Sequence, residues 1–178
     1  EGHPWFEITW LGASERSKGK RYADATAWRL NGTMPPAVAD LPVREATPDH
    51  APRLIFSSMD ASVATEIEQA FAQAGHVVVS NSRNHRMDED VPLLVPEINA
   101  DHLQLLAGQQ KTRGWKGKIV TNPNCSTIVL TMGLAPVKQF GITKSIATTM
   151  QASSGPGYPG GPARDQLGTG VPLTGNRT

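Results

Sequence analysis

The chain has 178 residues, with 17 basic and 16 acidic side chains, a net charge of +1, and apolar and aromatic contents of 38% and 6%. That length supports one ordinary domain with its own core, and so balanced a charge excludes the clustered Lys and Arg of a nucleic-acid surface. No apolar run approaches the length of a membrane span, and the opening EGHPWFEITWLGAS has none of the three regions of a signal peptide.

In chain order, residues 6–11 (FEITWL) read as a buried strand running into a polar loop. Residues 22–29 are expected to form one or two helical turns, and 31–52, with five prolines, to be loop. RLIFSSMD (53–60) reads as a short strand followed by polar residues. The clearest helix is 61–75, where Val63, Ile67, Ala70, Phe71 and Ala74 recur at three and four and Gly75 supplies the stop. HVVVSN (76–81) is a strand with a continuous apolar centre. The strand–helix–strand order predicts an α/β fold with a parallel sheet and crossover helices. PLLVPEIN is expected to be extended, with Asp101 capping a short helix that ends near Gly108. KIVTN is a further strand, 125–134 a helix stopped by Pro136, and 142–152 a long β-rich stretch. The last 26 residues hold 7 Gly and 4 Pro with no periodicity, so loop or disorder is expected there.

Cys125 is the only cysteine. It allows no internal disulfide, which fits a reducing compartment such as the cytoplasm. The layout KIVT–Asn-Pro-Asn-Cys-Ser-Thr places it on the first turn of a helix at the carboxyl end of a parallel strand. Asn124 is the N-cap candidate, and free N–H groups with the helix dipole favour a thiolate there. The alternative is a small buried hydrophobe, and no base lies nearby in sequence. His76 and His102 have no ligand-like spacing, and no His/Cys cluster suggests zinc. His85 is not expected to be a base.

Four blocks in order resemble the aspartate-semialdehyde dehydrogenase family, in its archaeal and fungal branch. They are HPWFEITWLGASERSKGKRYADATAW, VVVSNSRNHRMDEDVPLLVPEIN, NPNCST and TMQASSGPGYPG, spanning residue 3 to about 160. Malonyl- and succinyl-CoA reductases are related and share much of the pattern. The resemblance implies a Rossmann-like dinucleotide-binding domain over 1–135, then the start of a second α+β domain over 136–178, its tail aberrant or disordered from about 161. It implies NADPH-dependent reduction of L-4-aspartyl phosphate to L-aspartate 4-semialdehyde through a thioester on Cys125, in the biosynthesis of lysine, methionine, threonine and isoleucine. Covalent catalysis of this kind splits one hard step into two.

By the same resemblance Gln151 orients the acyl group, Arg86 binds an anionic group of the substrate through its guanidinium fork, and Asn124 helps hold the substrate oxygen. Arg83 and Asn84 are neighbours that could assist. For the cofactor NADP, Ser14, Arg16 and Ser17 in the loop after the first strand suit a 2′-phosphate, while Glu15 opposes it. Ser57 and Ser58 line the cofactor, and Gly155 and Gly157 allow close approach of the nicotinamide. Intact members are expected to be homodimers or homotetramers acting on small molecules, with no nucleic acid and no membrane.

The departures are also legible. No G-x-T-G-x-V-G turn occurs, and the family's catalytic histidine and second arginine have no counterpart here. A partial chain is therefore expected, with an open central sheet edge, no partners for the 142–152 strand, and little or no turnover alone.

Overall fold

The computed structural model describes residues 3–13 and 15–149. They fall into two units, which divide after Ala135. The first holds β1 (Leu11–Ala13), a 3-10 turn (Glu15–Ser17), α1 (Tyr22–Ala25), α2 (Pro36–Ala39), β2 (Val43–Glu45) and β3 (Leu54–Ser57). These are followed by α3 (Ala61–Ala74), β4 (Val77–Ser80), α4 (Pro96–Asn99), a 3-10 segment (Ala100–Gln104), α5 (Leu105–Arg113), β5 (Lys118–Thr121) and α6 (Cys125–Leu134). All strand pairs are parallel, as expected of an α/β fold with crossover helices.

The sheet is in two parts. β3, β4 and β5 form one ladder in that order, with Val77 opposite both Leu54 and Lys118. β1 pairs only with β2, Leu11 opposite Val43. Among the described residues no strand joins β1 to β3, and Phe56 on β3 is 68% exposed. The expected strand over 6–11 shrinks accordingly: residues 6–10 lack a ladder partner, and only Leu11 continues into β1. Phe6 and Trp10 instead contribute rings, Phe6 edge-on to Phe56 and Trp10 edge-on to Phe71.

Beneath β3–β5 lies a core of Ile55, Phe71, Ala72, Val78, Val91, Trp115 and Ile119. Helix α3 covers it. Asp60 caps its start, accepting from Ser62 N at 2.8 Å. Gly75, at φ +113°, ends it in the left-handed region, and the His76 N–H returns to Phe71 O at 3.0 Å. The face it buries is Ala64, Glu68, Phe71 and Ala72, while Val63 is 43% exposed. The apolar spacing therefore located the helix but missed the carboxylate on its inner face.

At the foot of β5, a Cβ on Gly117 would lie 2.0 Å from His76 O, so the closeness of this turn to the α3–β4 junction requires glycine. The outer edge of β5 is covered rather than bare. Pro92 O and the Leu94 N–H bond Thr121, and the buried Gln109 amide bonds both the N–H and the carbonyl of Ile119.

Three expectations change. The 31–52 loop contains α2 and β2, because Val43 finds a ladder on β1. The PLLVPEIN segment is extended only to Val95, and then Pro96 opens a helical turn. The short helix near Gly108 runs on to Arg113 and stops at Gly114, whose φ is +66°. A 3-10 segment (Ala135–Phe140) follows α6 directly, so Pro136 ends the α-helical pattern without ending the helical turn. Residues 142–149 carry no strand, and 150–152 lie outside the described residues. Among the described residues no helix is long and apolar enough to cross a membrane.

Candidate active site

The carboxyl ends of β4 and β5 bring the site together. Each strand is followed by an asparagine: Ser80 leads to Asn81 and Thr121 to Asn122. Asn122 Nδ2 donates to Asn81 Oδ1 at 3.0 Å, and the Asn122 N–H donates to Ser80 O at 3.2 Å. Pro123 then turns the chain. The Asn124 side chain accepts from the Thr127 N–H at 2.8 Å, capping α6 with Cys125 as its first residue. Cys125 is exposed, which fits an accessible thiol and removes the alternative of a buried hydrophobe. The expected strand–Asn-Cys–helix geometry is present.

The loop 81–88 carries Arg86 to this point. Arg86 Nη2 donates to Asn81 O at 2.9 Å, while its buried Nε has no protein partner. Burial pulls the guanidinium below the ordinary arginine value, and the neighbouring Cys125 sulfur acts in the opposite direction. Cation and sulfur are thus close enough to feel each other. Asn122 Oδ1 is likewise buried without a protein partner. One cation, one exposed thiol and one helix N-terminus come together where the strands end, a set suited to holding an anionic acyl group against a nucleophile.

Of the neighbours expected to assist, Arg83 is exposed, and Asn84 is occupied elsewhere. Asn84 Nδ2 donates to Ala61 O and Thr65 Oγ1 at 2.7 and 2.5 Å, and its Oδ1 accepts from Ser82 Oγ at 2.7 Å. It staples the loop to α3. His85 is buried, with Nδ1 2.9 Å from Asp88 Oδ2. Arg113 in turn bonds Asp88 and Asp90. Hydrogen bonds from Arg113 hold Asp90 below the usual carboxylate range. Burial alone would raise Asp88, but His85 and Arg113 outweigh it and hold Asp88 low as well.

A second concavity, about 240 Å³, lies between Gly12 on β1, Ala46 after β2, and the end of β3. Ser57, Ser58, Met59, Trp10 and Glu68 line it. Ser57 is buried and donates its hydroxyl to Glu68 Oε1 at 2.6 Å, leaving Ser58 as the exposed serine at the rim. Arg16 and Ser17 lie in the turn after β1, Arg16 exposed and Ser17 half-buried. Two observations fit a dinucleotide here: Gly12 carries no side chain at the wall, and the Trp10 indole N–H is buried without a protein partner. Ser14, Gln151, Gly155 and Gly157 lie outside the described residues. The structure adds Asn81 and Asn122, which were not singled out in the sequence. Their signal was the repeated Ser/Thr-Asn at a strand end.

Comparison with known proteins agrees with the α/β fold. Residues 1–106 match the family model described as "Semialdehyde dehydrogenase, NAD binding domain". The chain is 46% identical over 162 residues to an aspartate-semialdehyde dehydrogenase of Archaeoglobus fulgidus, covering 90% of this chain and 47% of that one. It is 38% identical to a malonyl CoA reductase (NADP) of Metallosphaera sedula, covering 96% of this chain and 48% of that one. A crystal structure of aspartate semialdehyde dehydrogenase with NADP from Candida albicans superposes with a TM-score of 0.71 at 41% identity, covering 79% of this chain and 42% of the other. The chain spans about half the length of the curated relatives it matches. With a parallel sheet, a cleft between β1 and β3 and the matched residues in agreement, the chain belongs to the semialdehyde dehydrogenase family through its NAD-binding domain.

Proposed function

We propose that this chain carries the nucleophile and the dinucleotide-binding part of an aspartate-semialdehyde dehydrogenase, with L-4-aspartyl phosphate as the acyl donor. The observation that carries the reading is the convergence of Arg86 on Cys125 at the ends of β4 and β5. The Cys125 thiolate attacks the acyl carbon, the carbon–oxygen bond to phosphate breaks, and phosphate leaves with its electron pair, giving a thioester. Arg86 binds an anionic group of the donor through its guanidinium fork, and Asn124 with the first N–H groups of α6 helps hold the acyl oxygen. Gln151 orients the acyl group. NADPH held there would supply a hydride to the thioester carbon, and the carbon–sulfur bond would then break, returning the Cys125 thiolate and releasing the aldehyde. Arg16, with Ser14 and Ser17, would hold the 2′-phosphate. Ser57, Ser58, Gly155 and Gly157 would line the rest, Ser57 by supporting the wall.

Identity to the aspartate-semialdehyde dehydrogenases, up to 46%, exceeds the 38% to the malonyl CoA reductase and favours the former substrate. In this reading 1–135 is the dinucleotide-binding domain and 136–178 opens a catalytic and dimerisation domain. The protein works in the cytoplasm, where Cys125 stays reduced, as a homodimer or homotetramer that covers apolar residues of α6 such as Val129, 73% exposed.

The test is to mix the folded chain with L-4-aspartyl phosphate and identify adducts by peptide mass spectrometry. An acyl adduct on the Cys125 peptide, absent in Cys125→Ser and about tenfold slower to form in Arg86→Met, is expected. Acylation spread over lysines with Cys125 unmodified would overturn the reading.

A further inference from the structure

Glu68 has no part in the chemistry above, yet it is 1% exposed and lies under the ends of β3 and β4, the second of which helps build the site. Its Oε1 accepts from Ser57 Oγ at 2.6 Å at the end of β3 and from Ser80 Oγ at 2.7 Å at the end of β4. Ser80 Oγ in turn accepts from the Ser82 N–H at 3.0 Å, at the start of the Arg86 loop. The other carboxylate oxygen, Oε2, has no hydrogen-bond partner in the protein and faces His85 Nε2 at 3.9 Å, itself without one. His85 is 2% exposed and adjoins Arg86. One buried carboxylate therefore touches the wall of the cleft and the end of β4, reaches the start of the loop through Ser80, and faces the residue beside the arginine.

We infer that Glu68 is a positioning residue that holds the 81–88 loop so that Arg86 faces Cys125. The inference rests on the proposed role of Arg86 and goes beyond it. A buried carboxylate is retained at a cost unless its contacts do something. Here both serines come from different strands, and the remaining oxygen is directed at the loop. The same carboxylate lines the cleft between β1 and β3, so a change at the cofactor wall reaches Arg86 through Ser57, Glu68 and His85.

The readout is the ratio of Cys125 alkylation rates by iodoacetate and by iodoacetamide, in the whole chain. A nearby cation speeds the anionic reagent selectively, and a general loss of stability does not change the ratio in that way. Arg86→Met is expected to lower the ratio about tenfold and Glu68→Gln about threefold or more, with the circular dichroism spectrum unchanged. If Arg86→Met lowers the ratio and Glu68→Gln does not, the inference is overturned while the proposed function stands. If Arg86→Met leaves the ratio unchanged, Arg86 does not act on Cys125, and both readings of that arginine fall. Should Glu68→Gln fail to fold, Ser80→Ala serves in its place. A fall in its ratio supports the inference, and an unchanged ratio overturns it.

Discussion

Replacing Gln109 with leucine removes one amide and leaves a strand edge unpaired. Gln109 is fully buried on α5. Its Nε2 donates to Ile119 O at 2.9 Å and to Asp90 O at 3.1 Å, and its Oε1 accepts from the Ile119 N–H at 2.8 Å. The side chain thus does for Ile119 what a neighbouring strand would do. Ile119 is itself 0% exposed, so water cannot replace the lost partners. Each orphaned backbone group costs about 1–3 kcal/mol, and burying leucine in place of an amide returns about 1 kcal/mol. The net expectation is a loss of about 2–3 kcal/mol, or a melting point lower by about 6–10 °C for a chain of this size. Urea unfolding followed by far-ultraviolet circular dichroism measures it. Gln110→Ala is the control, since Gln110 donates at the surface to Lys116 O; a change within about 0.5 kcal/mol is expected there. A Gln109→Leu chain as stable as its parent would refute the idea that this amide closes the edge of β5.

Asn124→Ala removes the cap of α6 and is expected to cost about 1 kcal/mol; it should slow Cys125 alkylation, whereas Asn124→Ser, which retains a neutral acceptor, should restore most of the rate. Gly117→Ala pushes a methyl group into His76 O and is expected to cost about 2–3 kcal/mol in the same urea assay. The depressed Asp88 and Asp90 carboxylates contribute stability that is complete above their unfolded values, near 3.9. That contribution is lost as pH falls from there through their lower folded values. Arg113→Met, which removes their partner, should flatten stability against pH between about 4 and 2; an unchanged slope would show that the pair does not couple to folding.

The elements that lead to the site were legible because each is an apolar run between clear stops. β4 and β5 are continuous valine- and isoleucine-rich segments, α3 lies between Asp60 and Gly75, and Asn124 marks the start of α6. What escaped depends on contacts far apart in sequence. β2 has three residues among prolines and is a strand only because β1 pairs with it. Glu68 occupies an inward position of α3 that periodicity assigns to an apolar side chain, and serines 11 and 12 residues away make it tolerable. Gln109 is buried for the same reason, its partner lying 10 residues on. Cys125 was picked by its place at a helix start after a strand, and Arg86 by resemblance to a known family. Their proximity, and the two asparagines between them, become visible only once β4 and β5 lie side by side.

The most direct test of the account is the rate at which iodoacetamide alkylates Cys125 in the folded chain at pH 7, set against the same chain in denaturant. Cys125 is exposed on the first turn of α6 and the Arg86 guanidinium acts on its sulfur, so the folded chain should react about tenfold faster or more. Equal rates, with circular dichroism showing a folded chain, would mean that the geometry at the ends of β4 and β5 does not activate the thiol, and would contradict the role given to Cys125.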